Sequence, residues 1–145
     1  MYRKLLNVSL LVIFIMFASP VIGYAWDEAV LIVGTIKVRS TKANGKAWDI
    51  AGGAPDLQVI VERTSKPKGE QHTTAVKQNV FEAAFNRKTM GVHEGDTIKI
   101  RVIDEDVGID DEVGEVSRKI SADDIKSKEV KIAFDQVDEL ILKFE

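Results

Sequence analysis

Apolar residues recur at every second position along most of the chain beyond residue 28. Residues 29–39 open on a continuous apolar run, Val30-Leu31-Ile32-Val33, then alternate, with Ile36 and Val38 set against Thr35, Lys37 and Arg39. This reads as a strand whose second half has one face in water. Leu57, Val59 and Val61 alternate with Gln58 and Glu62, and Ile98, Ile100 and Val102 with Thr97, Lys99 and Arg101. Val130, Ile132 and Phe134 alternate with Lys131, Ala133 and Asp135, and Leu140, Leu142 and Phe144 repeat the pattern with Ile141 on the other face. Weaker patterns predict strands over residues 72–77, 80–86 and 113–120. Glu82-Ala83-Ala84-Phe85 also suits a helix, but Phe81, Ala83 and Phe85 alternate with Glu82 and Asn86, which favours a strand. Ser121-Ala122-Asp123-Asp124 offers a capping start for one helical turn at most.

Turn signals separate these segments: Asn44-Gly45, Gly52-Gly53-Ala54-Pro55, Lys66-Pro67-Lys68-Gly69 and Glu94-Gly95-Asp96. About eight short strands with turns between them predict an all-β fold, an eight-stranded antiparallel β-sandwich.

The first 25 residues have a different character. A basic start, Arg3-Lys4, precedes an apolar stretch from Leu5 to Ala18, broken by Ser19-Pro20 and followed by Gly23-Tyr24-Ala25. The stretch is short of the roughly 18–20 residues a membrane span needs. It reads as a signal peptide, residues 1–25, cleaved after Ala25 or alternatively after Gly23. Residues 26–145 then form a single domain. The chain has no cysteine, so neither a lipid-modified cysteine nor a disulfide is available. An exported domain without disulfides suits a bacterial periplasm or a secreted bacterial protein.

Removing Arg3 and Lys4 takes Lys+Arg from 20 to 18 against 23 Asp+Glu, a net charge near −5. With no Lys/Arg-rich block, nucleic acid is an unfavourable partner. The two histidines, His72 and His93, have no partners at metal-ligand or triad spacing. No nucleophile elbow, phosphate-cradling glycine loop or His-Glu-x-x-His occurs, and no enzyme activity is expected.

Candidate chemistry lies in two acidic loops. Residues 104–112 (Asp104-Glu105-Asp106-Val107-Gly108-Ile109-Asp110-Asp111-Glu112) hold six carboxylates at the end of an apolar strand. Like charges held this close repel, more so beside a low-dielectric core. The second acidic loop, Trp48-Asp49-Ile50-Ala51-Gly52-Gly53-Ala54-Pro55-Asp56, joins the first strand to the next. A sandwich gathers its loops at two ends. At a shared end, Asp49, Asp56, Asp104, Asp106 and one of Asp110 or Asp111 could enclose a cation. All-oxygen ligands in flexible loops favour calcium before magnesium.

These residues resemble C2 domains. Asp49 to Asp56-Leu57-Gln58-Val59, with glycines between, is similar to the family's first calcium loop. Val102-Ile103-Asp104-Glu105-Asp106 followed by Asp111-Glu112-Val113-Gly114-Glu115 is similar to the third loop, and Asn79-Val80-Phe81-Glu82-Ala83-Ala84-Phe85 to the stretch between them. The resemblance spans about residues 30–145. The first strand running into the calcium loop and a last strand at residues 140–144 resemble the cytosolic phospholipase type, with type II strand order. The resemblance implies Asp49 and Asp56 as first-loop ligands and Asp104 and Asp106 as third-loop ligands. Asp111 or Asp110 takes the later third-loop place, according to how the loop is aligned. Leu57 stands where the family has proline after the Asp, and Val80 where it has proline after the Asn; no second-loop ligand is assigned.

Trp48 and Ile50 flank the first acidic loop, and Val107 and Ile109 lie inside the second. Apolar tips beside a cation could enter a lipid interface while the ion offsets carboxylate repulsion; packing within the fold is the alternative. The expected function is calcium-dependent association with an anionic membrane surface or an envelope protein, by a domain expected to be monomeric. The rival reading is a calcium-independent envelope module that docks a basic partner on its acidic loops.

Overall fold

In a computed structural model, the described residues are 28–49, 53–65, 69–106 and 109–145. The signal-peptide expectation therefore lies outside them, as do Ile50 and Val107. Eight strands form two four-stranded antiparallel sheets: β1 (Ala29–Val38), β2 (Leu57–Arg63), β3 (Glu70–Thr73), β4 (Glu82–Val92), β5 (Thr97–Asp104), β6 (Asp111–Lys119), β7 (Glu129–Phe134) and β8 (Val137–Phe144). One sheet runs β4-β1-β8-β7 and the other β3-β2-β5-β6. The last strand thus lies beside the first, and β1 feeds the first acidic loop, as the type II order requires.

The core fills the space between the sheets. Leu57, Val59 and Val61 of β2, Ile98, Ile100 and Val102 of β5, and Leu140, Leu142 and Phe144 of β8 are buried. Each series advances by two residues, because successive side chains of a strand point to opposite faces. In β1 the buried series changes phase, from Leu31 and Val33 to Ile36 and Val38. Its pairing with both β4 and β8 shifts register between Val33 and Ile36. An extra residue in one strand switches which face later side chains occupy. That bulge explains why the sequence passes from a continuous apolar run to a clean alternation.

Three elements differ from the sequence reading. The third strand is Glu70–Thr73 rather than residues 72–77. At Thr74 regular pairing with β2 stops: the Thr74 hydroxyl accepts the Val59 N–H at 3.0 Å, and pairing returns as an isolated bridge between Lys77 and Leu57. The fourth strand starts and ends later than 80–86, at Glu82–Val92. Asn86, at φ 46°, carries a bulge through the polar Arg87-Lys88-Thr89, and Met90 and Val92 return to the core. The helix has six residues, α1 (Ala122–Ser127), more than one turn. Its start is a reciprocal capping box between Ser121 and Asp124. Burial raises the Asp124 pKa, but hydrogen bonds from the Ser121 N–H and from Arg118 more than offset it, and the net direction is down. No helix among the described residues is long and apolar enough to cross a membrane.

Candidate metal centre at the β1–β2 and β5–β6 loops

Asp104 sits where a core residue belongs. It continues the inward series Ile98, Ile100, Val102 at the end of β5 and is 0% exposed. The same two-residue step sets Asp106 next along that side. Pairing of β2 with β5 puts Leu57 opposite Asp104, so the acidic loops leave adjacent strand ends. The loops are stitched together there: the Asp56 N–H donates to Asp104 Oδ1 at 2.6 Å, and the Glu105 N–H donates to the Asp56 carbonyl at 2.9 Å. A bulge in the β5–β6 pairing between Val102 and Ile103 turns the β6 end of the loop.

Asp49 arrives from the other side. Trp48 anchors the chain just before it, buried to 3% exposure, with its indole N–H donating to the Arg39 carbonyl at 2.8 Å. Gly53 leaves room for the Asp49 side chain. A Cβ on residue 53 would lie 2.9 Å from Asp49 Oδ2 and 3.0 Å from its Cβ. Asp49, Asp104 and Asp106 thereby each bring a carboxylate oxygen within 4.8 Å of the others.

Burial pushes the Asp104 pKa up. The Asp56 N–H pulls it down, Asp106 and Asp49 repel its charge and raise it again, and Lys42 lowers it; the net direction is up. Asp104 Oδ2 is buried and has no hydrogen-bond partner among the described residues. A buried polar oxygen without a partner costs free energy, and repulsion from two neighbouring carboxylates adds to it. The donor set is oxygen alone, which suits a hard divalent cation such as calcium. The three residues fit such an ion.

The other expected ligands stand around the triad rather than in it. Asp56 Oδ1 accepts the Asn79 N–H at 2.7 Å, so its carboxylate is turned towards the loop between β3 and β4. Exposed Asp110 accepts the Asp106 N–H through Oδ1 at 3.3 Å. Asp111 is held by the Lys42 ammonium. Of the four apolar tip residues, Trp48 requires correction: it belongs to the core and braces β1, so it offers no contact surface. Ile109 is 85% exposed beside the acidic loop.

Two contributors, Asn79 and Lys42, escaped the sequence reading, and Gly53, read there as a loop glycine, has a more specific part. Asn79, with φ 53°, ties the β3–β4 loop to the first acidic loop, its N–H donating to Asp56 Oδ1 and its own Oδ1 accepting the Ala54 N–H at 2.9 Å. Gly53 sets the approach of Asp49. Lys42 lies with its ammonium 5.6 Å from the centre of the Trp48 ring. Its hydrogen bond to Asp111 raises its pKa against the opposing effect of burial, and Asp111, Asp104 and Asp106 add to the rise. Asn79 begins the family-like middle stretch, but a backbone donor carries no sequence signal. His93 lies in the β4–β5 turn, at the other end of β5 from this site.

No family model and no curated protein matches the sequence. Solved structures do match. Human GIVD cytosolic phospholipase A2 in complex with methyl gamma-linolenyl fluorophosphonate is 20% identical with a TM-score of 0.61, over 81% of this chain and 16% of that chain. A structure described as that of a C2 domain is 19% identical with a TM-score of 0.55, over 81% of this chain and 96% of that one. This is a C2 fold. The paired C2 domains of Extended-Synaptotagmin 2, with calcium bound, are 18% identical with a TM-score of 0.52, over 80% of this chain and 45% of that one. The chain spans about a sixth of the phospholipase it matches, so the likeness concerns the fold and carries nothing about that enzyme's activity. In the C2 fold seen here, the β1–β2 and β5–β6 loops meet at one pole with the aspartate triad between them.

Proposed function

We propose that this C2-fold protein binds calcium at Asp49, Asp104 and Asp106, and that the ion lets the loop pole associate with an anionic membrane surface or a protein partner. One observation carries this reading: Asp104 is fully buried with an unpartnered oxygen beside two further carboxylates. Asp56 and Asp110, each one hydrogen bond from the triad, are the remaining candidate ligands. Charge neutralisation is what the cation would supply, and exposed Ile109 is the apolar group beside it. Export to a bacterial periplasm or to the exterior, after removal of residues 1–25, belongs to the same proposal. Calcium is plentiful outside the cytosol, so a site with Kd on the order of 10⁻⁴–10⁻³ M would suffice.

A thermal melt in calcium against chelator tests this. Binding to the folded state alone stabilises by about 2.7 kcal/mol at a hundredfold excess over Kd. A rise in melting temperature supports the site, and coincident melts overturn it. A second reading, a calcium-independent acidic docking module, is favoured by the Lys42–Asp111 pair, which already places a cation in the loops. Coincident melts together with salt-sensitive binding of a basic protein partner would favour it.

A further inference from the structure

Lys42 is not a free surface lysine. Its backbone is fixed in a closed turn: its N–H donates to the Lys46 carbonyl at 2.8 Å, and its carbonyl accepts the Gly45 N–H at 2.9 Å. Gly45 has φ 78°, and Asn44 Oδ1 accepts the Lys46 N–H at 3.0 Å. The side chain lies against Trp48 and ends on Asp111, with 22% of its surface exposed. Trp48 is itself held by the Arg39 carbonyl. Turn, ring and carboxylate therefore set the ammonium in one place at the rim of the aspartate triad.

An ammonium is a compact point charge with three donors. Placed on Asp111, it offsets that carboxylate as a second metal ion would, without leaving the protein. Six acids in residues 104–112 together with Asp49 and Asp56 are more than one divalent ion needs. Lys42 makes its ion pair with Asp111, while Asp104 Oδ2 stays without a hydrogen-bond partner among the described residues.

We propose that Lys42 is a tethered cation standing in for a second metal ion, so that the loops take a single divalent ion, at Asp49, Asp104 and Asp106. The proposal rests on the calcium reading above and adds its stoichiometry. It also makes Lys42 a determinant of affinity, because a fixed positive charge repels the incoming ion.

Isothermal calorimetry with calcium chloride tests it on the intact protein and on Lys42→Gln and Asp111→Asn. The expected result is one calcium per wild-type chain. Lys42→Gln should take up a second ion and bind the first about tenfold more tightly, the order expected for removing one charge several ångströms from a divalent ion. Asp111→Asn should still bind one ion, several-fold more weakly, because the ammonium loses its partner. A melt of each variant confirms folding, and if Lys42→Gln fails to fold, Asp111→Asn alone decides. Two ions on the wild type, or unchanged number and affinity in Lys42→Gln, overturn the proposal but leave the calcium site standing. Likewise, unchanged or tighter binding by Asp111→Asn overturns it. Binding by Lys42→Gln alone overturns the single-ion stoichiometry, since Lys42 would then be the resident cation. Absence of binding by every form overturns the calcium reading and this proposal together.

Discussion

The Asp56 backbone N–H donates to the Asp104 carboxylate at 2.6 Å, joining two loops that are 48 residues apart in sequence. That hydrogen bond satisfies one Asp104 oxygen and leaves the other buried and unpartnered among the described residues. The fold thus holds the site in place while leaving one buried carboxylate oxygen uncompensated.

Asp104→Asn should stabilise the calcium-free protein. Asparagine keeps an acceptor for the Asp56 N–H and removes a buried charge facing Asp49 and Asp106. A gain of about 1 kcal/mol corresponds to a few degrees in melting temperature for a domain of this size. Burial raises the Asp104 pKa above its ordinary 3.8, so the folded state holds that proton more tightly than the unfolded chain does. The destabilisation is absent below about pH 3.8 and grows as pH rises through the folded pKa. The advantage of Asp104→Asn should therefore grow with pH in that window without calcium. A lower apo melting temperature for Asp104→Asn near neutral pH would contradict this.

Asp124 should behave in the opposite sense. Its pKa is lowered on folding, so its contribution is present above about pH 3.8 and lost as pH falls through the folded value. Asp124→Asn should unfold at lower denaturant than wild type near pH 6, and the gap should close on acidification. Parallel curves at every pH would show that the capping box and the Arg118 pair contribute nothing through charge.

Gly53→Ala separates binding from folding. The added Cβ would meet Asp49 Oδ2 at 2.9 Å and Asp49 Cβ at 3.0 Å, so the carboxylate must swing and residue 49 must give by a few tenths of an ångström, a small cost in a loop outside the strands. Calcium affinity should fall about tenfold, the order expected for losing one charged ligand at an exposed rim, while the apo melt barely moves. Unchanged affinity in a calcium titration would remove Asp49 from the site.

Much of this was legible in the sequence, for physical reasons. Strands with one buried face imprint their period on the chain, so β2, β5 and β8 follow directly from Leu57-x-Val59, Ile98-x-Ile100 and Leu140-x-Leu142. The bounds of β3 and β4 were not legible, because the Thr74 hydroxyl takes the Val59 N–H in place of strand pairing and the left-handed Asn86 sits in a bulge within β4, neither of which polarity marks. At the site, Asp104 and Asp106 stood out because six carboxylates crowd the end of an apolar strand in a pattern that resembles a C2 third loop. Lys42 did not, since a lysine beside Asn44-Gly45 looks like any solvated turn until the fold brings it to Asp111, 69 residues away. Trp48 misled for the converse reason: an aromatic at a loop tip and an aromatic pinning that loop to the core share one sequence pattern.

Ile109 separates a lipid surface from a protein partner. Ile109→Ser should abolish calcium-dependent sedimentation with vesicles containing about 30% phosphatidylserine, by removing exposed apolar surface without changing charge. Calcium affinity should be little changed, since residue 109 supplies no carboxylate to the triad. Wild-type protein that stays in solution with calcium and such vesicles would exclude the membrane and leave a protein partner.

Calorimetric titration of the protein with calcium and with magnesium, beside the Asp104→Asn/Asp106→Asn double variant, tests the central claim most directly. The account predicts saturable calcium binding in preference to magnesium, with Kd on the order of 10⁻⁴–10⁻³ M, and none in a double variant that still folds. Absence of calcium binding by the wild type, or equal binding by the double variant, would contradict it.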